Sequence, residues 1–205
     1  MRAPDRPTRG CSLYWLAGVF VTSACVSPAP ANPHMTTTSI AALPGTALIL
    51  AEGDGERRLH RPPPSGVSTL AAPFILKVDR RNGAAPELVM LTEDIPPGQG
   101  ISPHRHPNAD EILFIHGGSG EAILAVRRAT VSTGATIYMP RNTVVSLRNT
   151  GREPLRIVAI FSQPGYEDYL REISVPEGKV STPLTVPELA SIRARHLETA
   201  VYERP

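Results

Sequence analysis

The sequence predicts an all-β fold, an antiparallel sandwich or barrel, with one or two helices confined to its C-terminal end. Three observations lead there. Proline accounts for 22 of 205 residues, about twice the usual share, and so many helix breakers disfavour a helical bundle. From Thr46 onward, short β-branched runs alternate with Gly, Pro or Asn clusters about every 8 to 12 residues, the rhythm of strands and turns. Helical spacing emerges only in Tyr166 to Ile173 and Pro187 to Val201. With 41% hydrophobic and 20% charged residues, the composition excludes a disordered chain and a multi-span membrane protein.

The first residues read as a targeting segment. An Arg-bearing start precedes an apolar stretch from Leu13 to Val26 that is too short to span a bilayer comfortably. The run Thr22-Ser23-Ala24-Cys25 resembles a bacterial lipoprotein signal, with Cys25 as the lipidated residue, although Leu is more usual than Thr22 three residues earlier. Ala29-Pro30-Ala31 offers an alternative site for ordinary secretion. Residues 1–26 are therefore expected to be a leader. Residues 27–39, rich in Pro and Thr, should form an extended linker that includes His34. The expected location is outside the cytoplasm, lipid-anchored or periplasmic. A start at Met35 would instead leave the protein in the cytoplasm. Both cysteines, Cys11 and Cys25, lie in the leader, so the remainder has no disulfide and no Cys ligand or nucleophile.

The net charge of +2 comes from this same end, where Arg2, Arg6 and Arg9 face only Asp5; the rest of the chain is balanced. No basic stripe with interleaved aromatics is present, so nucleic acid is not an expected partner.

The strands expected in order are Ala47–Ala51, Phe74–Asp79, Glu87–Thr92, Gly100–His104, Glu111–Ile115, Glu121–Val126, Thr130–Ser132, Thr136–Met139, Val144–Asn149 and Leu155–Phe161. Arg81-Asn82-Gly83 marks the turn between the second and third. Leu59 to Ser65, which includes His60, reads as an irregular covering loop. Residues 40–165 form the expected barrel and 166–205 a helical extension packed outside it, with Leu189, Ile192 and Leu197 on one helix face and His196 a solvated helix residue.

Chemistry concentrates in Pro96 to Gly120. His104 and His106 are one residue apart, so on a strand both project from one face and can share a cation. The Pro107-Asn108-Ala109-Asp110 segment reverses the chain. Glu111 then opens the apolar run Ile112 to Ile115, where a carboxylate is costly to bury unless paired or coordinated. Two His and one carboxylate converging from adjacent strands form a facial set for a divalent transition metal. Strand alternation puts His116 on the opposite face from Glu111.

At these residues the chain resembles the cupin superfamily of small jelly-roll β-barrels. Gly98, His104, His106, Glu111 and Gly118 fill every fixed position of that family's first motif. The second motif has Gly134, Pro140 and Asn149, but Asn142 replaces a Gly and Val145 stands where the metal-ligating His belongs. The resemblance spans roughly residues 74 to 161. The tail from Ser162 is similar, more loosely, to small bacterial cupins of the quercetin-dioxygenase-like group.

The resemblance implies a divalent transition ion (Fe, Mn, Ni, Cu or Zn) held by His104, His106 and Glu111, with positions left for water, oxygen or substrate. Glu111 would be a ligand or a catalytic base, and Phe114, Met139, Val145 and Phe161 would line the pocket. Two functions remain open: a metal-dependent, dioxygenase-like enzyme acting on a small organic molecule, and a non-catalytic module that binds or senses a small ligand. A transcription regulator ranks last, because no recognition helix is evident. Assembly as a homodimer stays open.

Overall fold

The computed structural model describes residues 47–64, 72–82 and 87–203. The leader, Cys25 and the linker lie outside these residues. In chain order the strands are β1 (Glu56–His60), β2 (Pro73–Val78), β3 (Val89–Ile95), β4 (Gly100–Arg105), β5 (Glu111–Gly117), β6 (Ser119–Leu124), β7 (Arg127–Ser132), β8 (Thr136–Met139), β9 (Val145–Arg148) and β10 (Leu155–Phe161). Helix α1 (Tyr166–Glu172), strand β11 (Ser174–Pro176), helix α2 (Val186–Arg195) and strand β12 (Val201–Tyr202) follow.

Alternation along the strands builds the core. In β10, Leu155, Ile157, Ala159 and Phe161 are buried while Arg156 and Ile160 face out, the period-2 pattern of a sheet with one covered face. This strand sits between β3 and β5 in an antiparallel sheet ordered β11-β1-β2-β3-β10-β5-β8. A second sheet, β12-β4-β9-β6-β7, supplies the other wall. From β3 onward the chain passes back and forth between the sheets: β4, β6, β7 and β9 in the smaller, β5, β8 and β10 in the larger. The result is an antiparallel jelly roll, the expected all-β class.

Two backbone positions explain motif residues. Gly118 joins β5 to β6 at φ +79°, and a Cβ there would come within 2.4 Å of the Pro154 carbonyl oxygen, so only Gly fits. Asn142, at φ +66°, occupies the left-handed conformation that the family's glycine would take, one that Asn tolerates better than most residues.

Three sequence expectations change. Residues 47–51 form no strand; the first strand is instead β1, within which His60 is buried. Its Arg-rich sequence disguises it: Arg58 is buried only because it bonds Ser174, Glu56 and the Arg171 carbonyl. Second, α2 ends at Arg195, so Leu197 lies past the helix and is exposed. The start of α2 follows the rules, with Thr185 and Glu188 forming a reciprocal capping box. Third, the C-terminal segment is not packed outside the barrel. Its β11 extends the larger sheet beside β1, its β12 extends the smaller beside β4, and Tyr169 and Leu170 join the core. Helical spacing identifies which residues seek cover and not what covers them.

Candidate metal centre

His104 lies near the end of β4, directly opposite Val145 of β9 and Tyr202 of β12. His106 follows one residue beyond the strand, and Glu111 opens β5 after the chain reverses. All three are buried, at 3%, 4% and 4% exposure. One ligand atom from each lies within 4.8 Å of the others. The spacing read from the sequence thus produces convergence.

The protonation of the rings follows from their partners. His104 Nδ1 donates to the Ser102 carbonyl at 2.9 Å and His106 Nδ1 donates to the Thr199 carbonyl at 2.7 Å; a carbonyl can only accept, so each Nδ1 carries the proton. In a neutral ring each Nε2 then offers its lone pair, as a metal requires. Burial, and next the neighbouring His106, push His104 down to about 4, which keeps it neutral and able to ligate at physiological pH.

His106 Nε2 and Glu111 Oε2 face each other at 3.3 Å, yet both are buried atoms with no hydrogen-bond partner among the described residues. The Nε2 lone pair of a neutral ring and a carboxylate oxygen repel in a dry site, and leaving them unsatisfied is costly. A cation between them removes both penalties. The donor set, two imidazoles and a carboxylate, therefore fits a divalent transition ion.

Aromatic rings from the C-terminal segment enclose the pair. Tyr202 stacks on His104 with centroids 5.3 Å apart, and Tyr166 meets His106 edge-on at 4.6 Å. The two Tyr hydroxyls lie 3.1 Å apart. Burial raises both phenols well above their usual range, so they stay neutral hydrogen-bonding groups. Sequence reasoning missed Tyr166, Thr199 and Tyr202, because their roles depend on a return of the chain that no local pattern signals.

The barrel encloses a mainly apolar cavity against which His104 and Glu111 stand. It leaves about 70 Å³ for the centres of water-sized groups, against roughly 10–15 Å³ for one water, so it suits a small molecule. Val145 and Phe161 line it, and Phe161 also packs against His106 at 5.1 Å. Met139 is buried opposite Glu111 on β8 but does not line the cavity. Phe114 is a correction. It is 40% exposed on the outer face of the sheet, because alternation from inward-facing Glu111 turns it outward; Leu113 takes the wall position instead. His116 is exposed on that outer face, as its parity predicts. His196 is not solvated: its side chain is 12% exposed, bonds Glu172 at 2.8 Å and meets the Tyr169 ring edge-on. His60 leaves its expected loop to line the cavity beside Glu93.

An antiparallel jelly roll on whose inner wall two His and one Glu converge defines the class of the protein. The cupin domain family matches residues 91–161. Those residues form a cupin domain. An uncharacterized protein of Methanocaldococcus jannaschii is 34% identical over 75 residues, 36% of this chain and 60% of that protein, so the match spans less than two thirds of the relative. Among solved structures, KdgF from Halomonas sp. is similar at 18% identity and TM-score 0.42, covering 47% of this chain and 83% of its own. A predicted oxalate decarboxylase from Thermotoga maritima is similar at 17% identity and TM-score 0.46, covering 57% of this chain and 100% of its own.

Proposed function

We propose that this protein is an exported metal-dependent cupin in which His104, His106 and Glu111 hold a divalent transition ion and a small organic molecule is transformed in the barrel by dioxygenase-like chemistry. The observation that carries the metal reading is the facing pair of unpartnered buried atoms, His106 Nε2 and Glu111 Oε2. An ion held there supplies Lewis acidity and open coordination positions. The chain's own residues do the rest. The Ser102 and Thr199 carbonyls fix the ring tautomers, the Tyr166 and Tyr202 rings screen the histidines from solvent, and the apolar wall of Leu113, Val145 and Phe161 excludes water from the reacting end. Glu111 is either a ligand throughout or the base that takes a substrate proton.

Metal analysis of the purified full chain tests the site. Close to one equivalent of Fe, Mn, Ni, Cu or Zn, lost in His106→Ala, supports it; no metal after reconstitution rejects it. Oxygen uptake across a panel of small organic molecules then tests the reaction class.

A second reading, a non-catalytic ligand-binding cupin, is favoured by Val145, an apolar side chain at 1% exposure in the fourth ligand position. Bound ligand without turnover in the metal-loaded protein would select it. Export rests on the leader composition, and palmitate labelling that depends on Cys25 tests it.

A further inference from the structure

The cavity has a second polar pole that the metal group does not use. His60 and Glu93, each 8% exposed, both line it, and His60 Nε2 lies 2.8 Å from Glu93 Oε1. The pair comes from β1 and β3, reaching across Phe74, whose ring lies 4.6 Å from the imidazole. Among the described residues no Lys or Arg side chain forms an ion pair with Glu93. Arg61, the adjacent cavity residue, directs its guanidinium away to Glu188 at 2.5 Å and to the Thr182 carbonyl at 3.0 Å. Burying a hydrogen-bonded polar pair carries a desolvation cost that apolar residues of similar volume do not, so packing alone does not account for one on a mainly apolar wall.

The two poles are separated along the same sheet. On β10, Glu93 is paired with Ile157 and Glu111 with Phe161, an offset of four residues or roughly 13 Å of strand. Apolar side chains, Leu91, Leu113, Ile157 and Ala159, line the cavity with them. A divalent ion with one carboxylate ligand leaves a net positive pole, which prefers an anionic oxygen. The Glu93 carboxylate offers an acceptor for a hydroxyl hydrogen. An alkyl chain matches the middle.

We infer that His60 and Glu93 form a recognition subsite for the hydroxyl end of a small aliphatic hydroxy acid whose carboxylate end lies at the His104, His106 and Glu111 group. This assignment rests on the metal reading above and adds the class of ligand to it. Few polar groups placed in an apolar cavity fix a ligand's orientation, and here they lie at both ends.

The test is calorimetric titration of the full chain loaded with Mn²⁺, using unbranched alkanoates of about four to eight carbons and their ω-hydroxy counterparts. At the chain length that spans the cavity, the ω-hydroxyl should tighten Kd by about tenfold. The ratio should fall to about one in the double variant His60→Phe with Glu93→Leu, which replaces the pair by apolar side chains. Glu93→Gln, which keeps an acceptor, should retain part of the gain and serves where the double variant does not fold. A hydroxyl that adds nothing at any length, or a gain that survives removal of the pair, overturns the subsite while leaving the metal reading intact. Failure of Mn²⁺, and of Fe, Ni, Cu and Zn in its place, to bind removes both, and Mn²⁺ binding without any carboxylate ligand overturns the subsite alone.

Discussion

His106 Nδ1 donates to the Thr199 carbonyl oxygen at 2.7 Å across 93 residues of chain, so the C-terminal segment orients a histidine of the candidate metal centre. Such outer partners fix ring orientation and raise ligand basicity, and their loss typically costs 10- to 100-fold in metal affinity. Deleting residues 199–205 removes this carbonyl together with Tyr202, which stacks on His104. Chelator competition should then show metal affinity lower by at least about tenfold. Unchanged affinity would mean that the barrel alone orients His106.

Val145 faces His104 across the β4–β9 ladder at 1% exposure, on the cavity wall. Val145→His would place a third imidazole beside the other two and complete the family's usual ligand set. Metal affinity should rise by at least about tenfold, no less than an outer partner contributes, as read by the same competition assay. No change would show that the Cβ at 145 does not aim toward the ion.

The His104 environment makes the metal-free fold acid-sensitive. The unfolded imidazole takes up its proton near its ordinary value of about 6.5, whereas burial and then His106 hold the folded one down to about 4. Between these values the unfolded state binds more protons, so stability rises with pH in that window and is lost as pH falls through it. The loss amounts to something of order 3 kcal/mol by the lower end. Urea unfolding of the metal-free protein between pH 7.5 and 5 should show it, and His104→Gln should flatten the dependence.

The barrel and the His104, His106 and Glu111 group were legible because their signals are local. The alternation in Leu155–Phe161 places β10, and one-residue spacing puts His104 and His106 on one face. The same parity rule that turns His116 outward also turns Phe114 outward, so that correction was available from the sequence. What lay hidden is non-local. β1 reads as polar because Arg58 is buried only through partners such as Ser174, 116 residues away. Tyr166, Thr199 and Tyr202 acquire their positions from two short strands that join the sheets late in the chain. The His60 and Glu93 pair combines residues 33 apart on strands separated by a third.

Asn149 separates scaffold from site in the second motif. Its side chain is fully buried; Nδ2 donates to the Ile95 and Glu153 carbonyls at 2.7 and 2.8 Å, and Oδ1 accepts from the Gly151 amide at 2.8 Å. These bonds tie the end of β3 to the turn before β10, and none reaches the triad. Asn149→Ala removes three hydrogen bonds to the backbone, the one to the Ile95 carbonyl fully buried, at a cost of about 3 kcal/mol, or roughly 10 °C in Tm for a domain of this size. Metal stoichiometry in the folded variant should be unchanged. Calorimetric melting with metal analysis checks both, and a variant that keeps its Tm but loses metal would move Asn149 from scaffold to site.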